Sequence, residues 1–194
     1  MMYMQNNQAS IIDPATVINN QLIRSIGIDK YSTIQTTFWE KDISKDTDGF
    51  QKLFNSFYVV RRNSEWRKDY YTLFESLKKE KNTVTFEQIL KTLYNTTGKI
   101  EASYSSKMLA TLNPNMPIWD QYVLKNAGVA QPSQGSDRFD STVSVYSQLC
   151  EWYECYLKTE NSKECIRHFD KTFPKYKEIS DIKKIDFYLW MIRE

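Results

Sequence analysis

Glycine and proline are scarce in this chain, at five each in 194 residues. A strand-rich fold needs many tight turns, and those two residues supply most of them, so an all-β architecture lacks its turn residues. The glycines Gly27, Gly49, Gly98, Gly128 and Gly135 stand alone, so there is no Gly-rich phosphate loop of the nucleotide-binding or kinase kind. Histidine occurs once, at His168, with no motif around it, which leaves a His-dependent catalytic triad without a site. No apolar run approaches the roughly 20 residues that span a bilayer, so no membrane partner is expected. The first ten residues, Met1 to Ser10, are polar and lack the apolar core of a signal peptide. An excess of one charge is missing as well: 26 Lys and Arg against 24 Asp and Glu leave a net charge of +2. That is too small to argue for nucleic acid by itself, although a local basic face is compatible with it.

Cysteine is limited to Cys150, Cys155 and Cys165. An odd count in a chain of this length does not read as a secreted disulfide framework, so a reducing, cytoplasmic setting is expected. A zinc site from these cysteines and His168 is disfavoured, because a separation of five puts Cys150 and Cys155 on different helix faces. No metal and no cofactor is expected.

What is present points to helices. The hydrophobic fraction of 41% fills a core, and aromatics are abundant, with 13 Tyr, 10 Phe and 5 Trp. Asp13-Pro14 reads as a cap and first helical residue ahead of Val17, Ile18 and Leu22, with Gly27 as a stop. A short helix carries Ile34 and Phe38, and another carries Phe50, Leu53, Phe54 and Phe57. Asn63-Ser64 caps a helix whose seam is Trp66, Tyr70, Leu73 and Leu77. Lys78 to Asn82 is a polar break, Thr85 with Gln88 matches a capping box, and Thr96-Thr97-Gly98 ends that helix. Residues 103–112 form a short helix, Asn113 to Pro117 a loop, and 120–126 the next helix. The longest helix follows, with Phe139, Val143, Tyr146, Cys150, Tyr153 and Leu157 as its stripe. Helices at 162–171 and 181–193 close the chain. The expected fold is all-α, one domain over 1–194 or two packed lobes with 45–130 in the central one.

The stretch richest in chemistry runs from Ser103 to Val123. It holds a Lys near the start of one helix, Lys107, and an Asp at the start of the next, Asp120, joined by the turn Asn113-Pro114-Asn115-Met116-Pro117. Helix starts concentrate positive potential and unpaired N–H groups, which suits phosphate and keeps carboxylates ionised. Read plainly, Asp120 is a helix cap, Lys107 a solvated charge, and Trp119 and Tyr122 packing residues.

Pro117-Ile118-Trp119-Asp120-Gln121-Tyr122-Val123 resembles the Pro-Ile-x-Asp-x-x-Val string of helix-hairpin-helix (HhH-GPD) DNA glycosylases, in particular the 8-oxoguanine and adenine glycosylase-like branches. Ser105-Ser106-Lys107 is similar to the segment in which bifunctional members carry their Schiff-base lysine. The run also looks like a bacterial glycosylase-like group with Ser-Lys, Asn-Pro and Pro-Ile-x-Asp. The resemblance covers about 20 of the 194 residues. It departs from the family in two ways: Thr97-Gly98-Lys99-Ile100-Glu101-Ala102 has one Gly where the family hairpin is Gly-rich, and Lys107 and Asp120 are 13 residues apart, closer than usual. The cysteine pattern does not match an iron–sulfur loop.

The resemblance implies a two-lobed helical glycosylase fold. The activity it implies is hydrolysis of the N-glycosidic bond of a flipped base in duplex DNA, with or without strand nicking. Asp120 and Lys107 would be catalytic, Trp119 and Tyr122 would form the base pocket, and Arg61, Arg62, Arg67, Ser105 and Ser106 would contact DNA. The rival expectation is a non-catalytic helical module that binds nucleic acid or protein. A cleft at Asp120 wide enough for a base separates the two.

Overall fold

The computed structural model describes residues 11–18, 27–81 and 83–192. Among them the architecture is all-helical, with ten α-helices and no strand. They are α1 (Pro14–Val17), α2 (Ile28–Glu40), α3 (Lys52–Tyr58), α4 (Ser64–Ser76), α5 (Phe86–Thr97), α6 (Ala102–Leu112), α7 (Gln121–Asn126), α8 (Arg138–Tyr156), α9 (Glu160–Thr172) and α10 (Asp181–Met191). Met1 to Ser10, Leu22 of the first apolar stripe and Arg193 lie outside the described residues. No helix of the described residues is long and apolar enough to cross a membrane.

Local chemistry sets most helix ends. The Asp13 carboxylate accepts from the Ala15 amide, and Asn63 from that of Trp66. Thr85 and Gln88 form the expected reciprocal capping box, and α5 stops where Gly98 takes a left-handed conformation at φ 68°. A π-helical turn, Thr47–Gln51, leads into α3 and wraps over Asp46, whose side chain accepts from the Phe50 amide. A Cβ on Gly49 would lie 2.5 Å from that carboxylate, so the turn requires glycine.

The buried apolar side chains form one cluster from Ile12 to Leu189. Its centre is aromatic: Phe38, Phe50, Phe54, Tyr70, Tyr71 and Phe74 bring α2, α3 and α4 together. Two seams differ from the sequence expectation. On α4 the buried residues are Trp66, Tyr70, Tyr71 and Phe74, while Leu73 is half-buried. On α8 they are Thr142, Val145, Tyr146, Leu149, Tyr153 and Tyr156, with Phe139, Val143 and Cys150 half-buried. Both helices carry two overlapping apolar stripes, and the neighbouring helix decides which one is inside. On α8 the choice follows from Tyr146, whose ring stacks on Phe86 at 3.9 Å while its hydroxyl donates to the Pro117 carbonyl.

Chain ends meet. The Ile12 backbone exchanges two hydrogen bonds with the Asn161 side chain on α9. Asn126, at the end of α7, donates to the carbonyls of Leu189 and Ile192, which clamps α10 against α7. That contact matters for the site.

Candidate functional site

Lys107 lies mid-way along α6, and Asp120 caps α7. The twelve residues between them are folded back by Ser106. Its hydroxyl donates to the Ser103 carbonyl and accepts from the Trp119 amide at 2.8 Å. The loop is pinned again by Tyr146 at Pro117 and by Ser180, whose hydroxyl donates to the Pro114 carbonyl. These ties bring Asp120 beside Lys107 on the wall of one cavity.

That cavity has a volume of about 270 Å³. Its lining is mostly aromatic and apolar: Phe57, Tyr58, Val59, Ile118, Phe187 and Trp190. Four charged side chains interrupt it, Lys107, Asp120, Lys183 and Asp186. The rim includes Val59, a β-branched residue held at φ 54° and 55% exposed. This left-handed backbone is costly for such a side chain, and strain of this kind gathers at functional sites. It orients the preceding Tyr58 carbonyl, which accepts from the Lys107 ammonium at 3.3 Å.

The Lys107 amine is largely out of water, and this burial pulls its pKa down to about 8. Asp120 and Asp186 oppose the shift and Lys183 adds to it. The amine also sits over the rings of Tyr104 at 5.1 Å and Tyr58 at 5.7 Å. Asp120 accepts from the Tyr122 amide at 2.8 Å, so it caps its helix and faces the cavity at once.

Lys183 and Asp186 stand one turn apart on α10 and form a tight ion pair, at 6% and 4% exposure. The ammonium lies over the rings of Phe187, Tyr31 and Phe57. The carboxylate also accepts from the Tyr153 hydroxyl at 3.4 Å. Burial raises the Asp186 pKa, and the Lys183 charge limits the rise.

The other residues singled out in the sequence have different positions. Ser105 and Ser106 are fully buried, and their hydroxyls hold backbone carbonyls of α6, so neither can reach a phosphate as the resemblance implied. Trp119 is buried, with its ring parallel to that of Phe86. It lines a second cavity of about 300 Å³, to which Lys107 also contributes, and not the one that holds Asp120. Tyr122 is half-buried and lines neither. Arg62 makes a bidentate pair with the buried Glu101 and lies over Tyr104 and Trp66. Arg67 is half-buried and donates to the Val60 carbonyl. Arg61 is exposed and shares an open groove with Arg62 and Lys99.

Among the described residues no cluster of His, Cys, Asp or Glu is placed to hold a metal. Cys165 is buried, Cys150 half-buried and Cys155 exposed.

Lys183, Asp186, Phe187 and Trp190 went unremarked in the sequence. Their helix carries two Lys and two Asp among its eleven residues, and only the fold shows that Lys183 and Asp186 face this cavity while Lys184 pairs with Asp170 and Asp181. Compared with known protein families, curated proteins and solved structures, the chain has no match.

Proposed function

We propose that this protein is a DNA glycosylase-like enzyme of two-lobed helical fold that cleaves the N-glycosidic bond of a base extruded from duplex DNA, with Lys107 and Asp120 as its catalytic pair. One observation carries the reading: a buried lysine with a lowered pKa and a helix-capping carboxylate face the same aromatic-walled cavity. Aromatic walls suit a flat ring, since each stacked base is worth about 1–3 kcal/mol. A lysine of pKa about 8 is roughly a tenth neutral at pH 7, and only the neutral amine is a nucleophile. That amine attacks C1′, the C1′–N bond breaks, and the base departs with the electron pair. The sugar ring then opens at C1′–O4′, with a proton from solvent going to O4′, and leaves the protonated Schiff base that borohydride reduces. The Asp120 carboxylate stabilises the positive charge that develops on the sugar. Arg61 and Lys99, in a groove that also carries Glu65 and Asp69, are the cations offered to the flanking phosphates.

The test is excision from duplexes that carry a panel of damaged bases, with borohydride trapping of the covalent complex. Lys107→Ala should abolish trapping. Asp120→Asn keeps an oxygen for the Tyr122 amide, so stability should change by under about 1 kcal/mol. It removes the charge, and excision should fall by roughly 10²–10³. A wild type that removes no base, or an Asn variant that excises normally, leaves Asp120 as a cap only and favours a helical binding module.

A further inference from the structure

We infer that Lys183 is the leaving-group residue of this cavity: its ammonium, anchored by Asp186, donates to the departing base. The inference rests on the reading of the cavity as a base pocket and extends it to the end opposite the sugar.

Depth orients the ligand. Lys107 and Asp120 are half-buried, whereas Lys183 and Asp186 are almost wholly buried in the same cavity. A nucleotide tethered to a duplex keeps its sugar at the mouth and sends its base inward. The sugar therefore meets Lys107 and Asp120, and the base meets the α10 pair.

The pair is not explained by stability. A buried ion pair costs several kcal/mol per ion to desolvate, and well-packed apolar residues often replace such pairs without loss. Here the surroundings are the rings of Tyr31, Phe57 and Phe187, against which apolar side chains would pack. The pair also retains hydrogen-bonding capacity. An ammonium has three donors, and Lys183 hydrogen-bonds to Asp186. Its remaining donors are available to a ring nitrogen or oxygen in the cavity.

The chemistry needs such a donor. When the C1′–N bond breaks, its electron pair goes to the base, which becomes an anion unless it is protonated. Lys183 donates a proton to that anion and becomes a neutral amine. The Lys107 nitrogen, now bonded to C1′ and positively charged, gives up the matching proton, which restores Lys183 through water. Within a cavity walled largely by aromatic rings, a charged donor beside the departing base counts for more than it would in open water.

The experiment varies the leaving group. Duplexes carrying uracil, 5-fluorouracil, hypoxanthine and 8-oxoguanine are incubated with the wild type and with Lys183→Met/Asp186→Leu. The double change leaves no unpaired buried charge, and circular dichroism and thermal unfolding check its fold. The wild type should remove uracil and 5-fluorouracil at similar rates. The double variant should lose roughly 10²–10³ on uracil and clearly less on 5-fluorouracil, whose anion is stabilised by fluorine. Lys183→Arg, which keeps a charged hydrogen-bond donor but does not give up its proton, should leave most of the loss on uracil in place. A folded variant that loses the same factor on every base overturns the inference and leaves the proposed function standing. A wild type that removes none of the four overturns both.

Discussion

Lys107 is where burial and chemistry meet most directly. Its pKa in the folded protein is about 8 against 10.5 for the free side chain, and loss of hydration is the largest cause. The charged form is thus penalised in the native state. Between pH 8 and 10.5 the unfolded chain holds the proton and the folded chain does not, so stability rises with pH across that window. Below pH 8 the penalty is present in full. Lys107→Met should therefore be more stable than wild type at pH 7, by about 1–2 kcal/mol, with the gap closing toward pH 10. Denaturant unfolding of both proteins at the two pH values checks it. The rate of borohydride trapping should rise with pH and level off above about 8, because the neutral amine reacts. A profile still rising at pH 10 would mean an ordinary, solvated lysine.

At the scale of elements, the site depends on how α6, the 113–120 loop and α10 are tied. Ser106 carries the tie that matters most, since its buried hydroxyl is the acceptor for the Trp119 amide. Ser106→Ala should cost about 1–3 kcal/mol, the penalty of an unsatisfied buried donor. It should also slow trapping at Lys107 by loosening Asp120. Unfolding and trapping measured on one preparation separate the two effects. The start of α6 is held from the other side by Arg62, whose guanidinium grips the buried Glu101. Arg62→Ala strands that carboxylate and should destabilise by about 3–5 kcal/mol. Arg61, exposed in the same short segment, should change stability by no more than about 0.5 kcal/mol when replaced by Ala. Thermal unfolding of the pair of variants distinguishes a structural arginine from a surface one. Equal shifts would mean that the Glu101 contact is energetically idle.

For the whole molecule, charge limits what the cavity can be offered. With a net charge of +2, attraction to a duplex comes from a local face, not from the protein as a whole. Non-specific duplex binding should be no tighter than roughly 10⁻⁶ M at physiological salt and should weaken steeply as salt is raised. Fluorescence anisotropy at two salt concentrations measures this. Absence of binding even at low salt would count against the glycosylase reading and for a protein-binding module. The groove that holds Arg61 and Lys99 beside Glu65 and Asp69, with Arg62 already engaged by Glu101, is the surface that such data would test.

Much of this molecule was legible without its structure. Helical periodicity, the Thr85–Gln88 box, the Gly98 stop and the Asp120 cap are local, because they depend on residues within one turn of each other. Local logic read Asp120 as a cap and Lys107 as a solvated charge, and it was the family resemblance that paired them. It misjudged Ser105 and Ser106, since a hydroxyl near a helix start looks the same whether it faces solvent or core. It could not choose between the stripes of α8, where two faces are apolar. Nor could it find the far wall of the cavity. Lys183 and Asp186 lie 63–79 residues from Lys107 and Asp120 along the chain. They reach the same cavity because Asn126 and Ser180 clamp α10 beside the 113–126 segment. Sequence alone determined the all-helical class and most helix caps, although Gly27, read as a stop, begins α2 and the first helix ends at Val17, before Ile18. Tertiary packing decided which charges lost their water, because desolvation depends on neighbours brought together from distant parts of the chain.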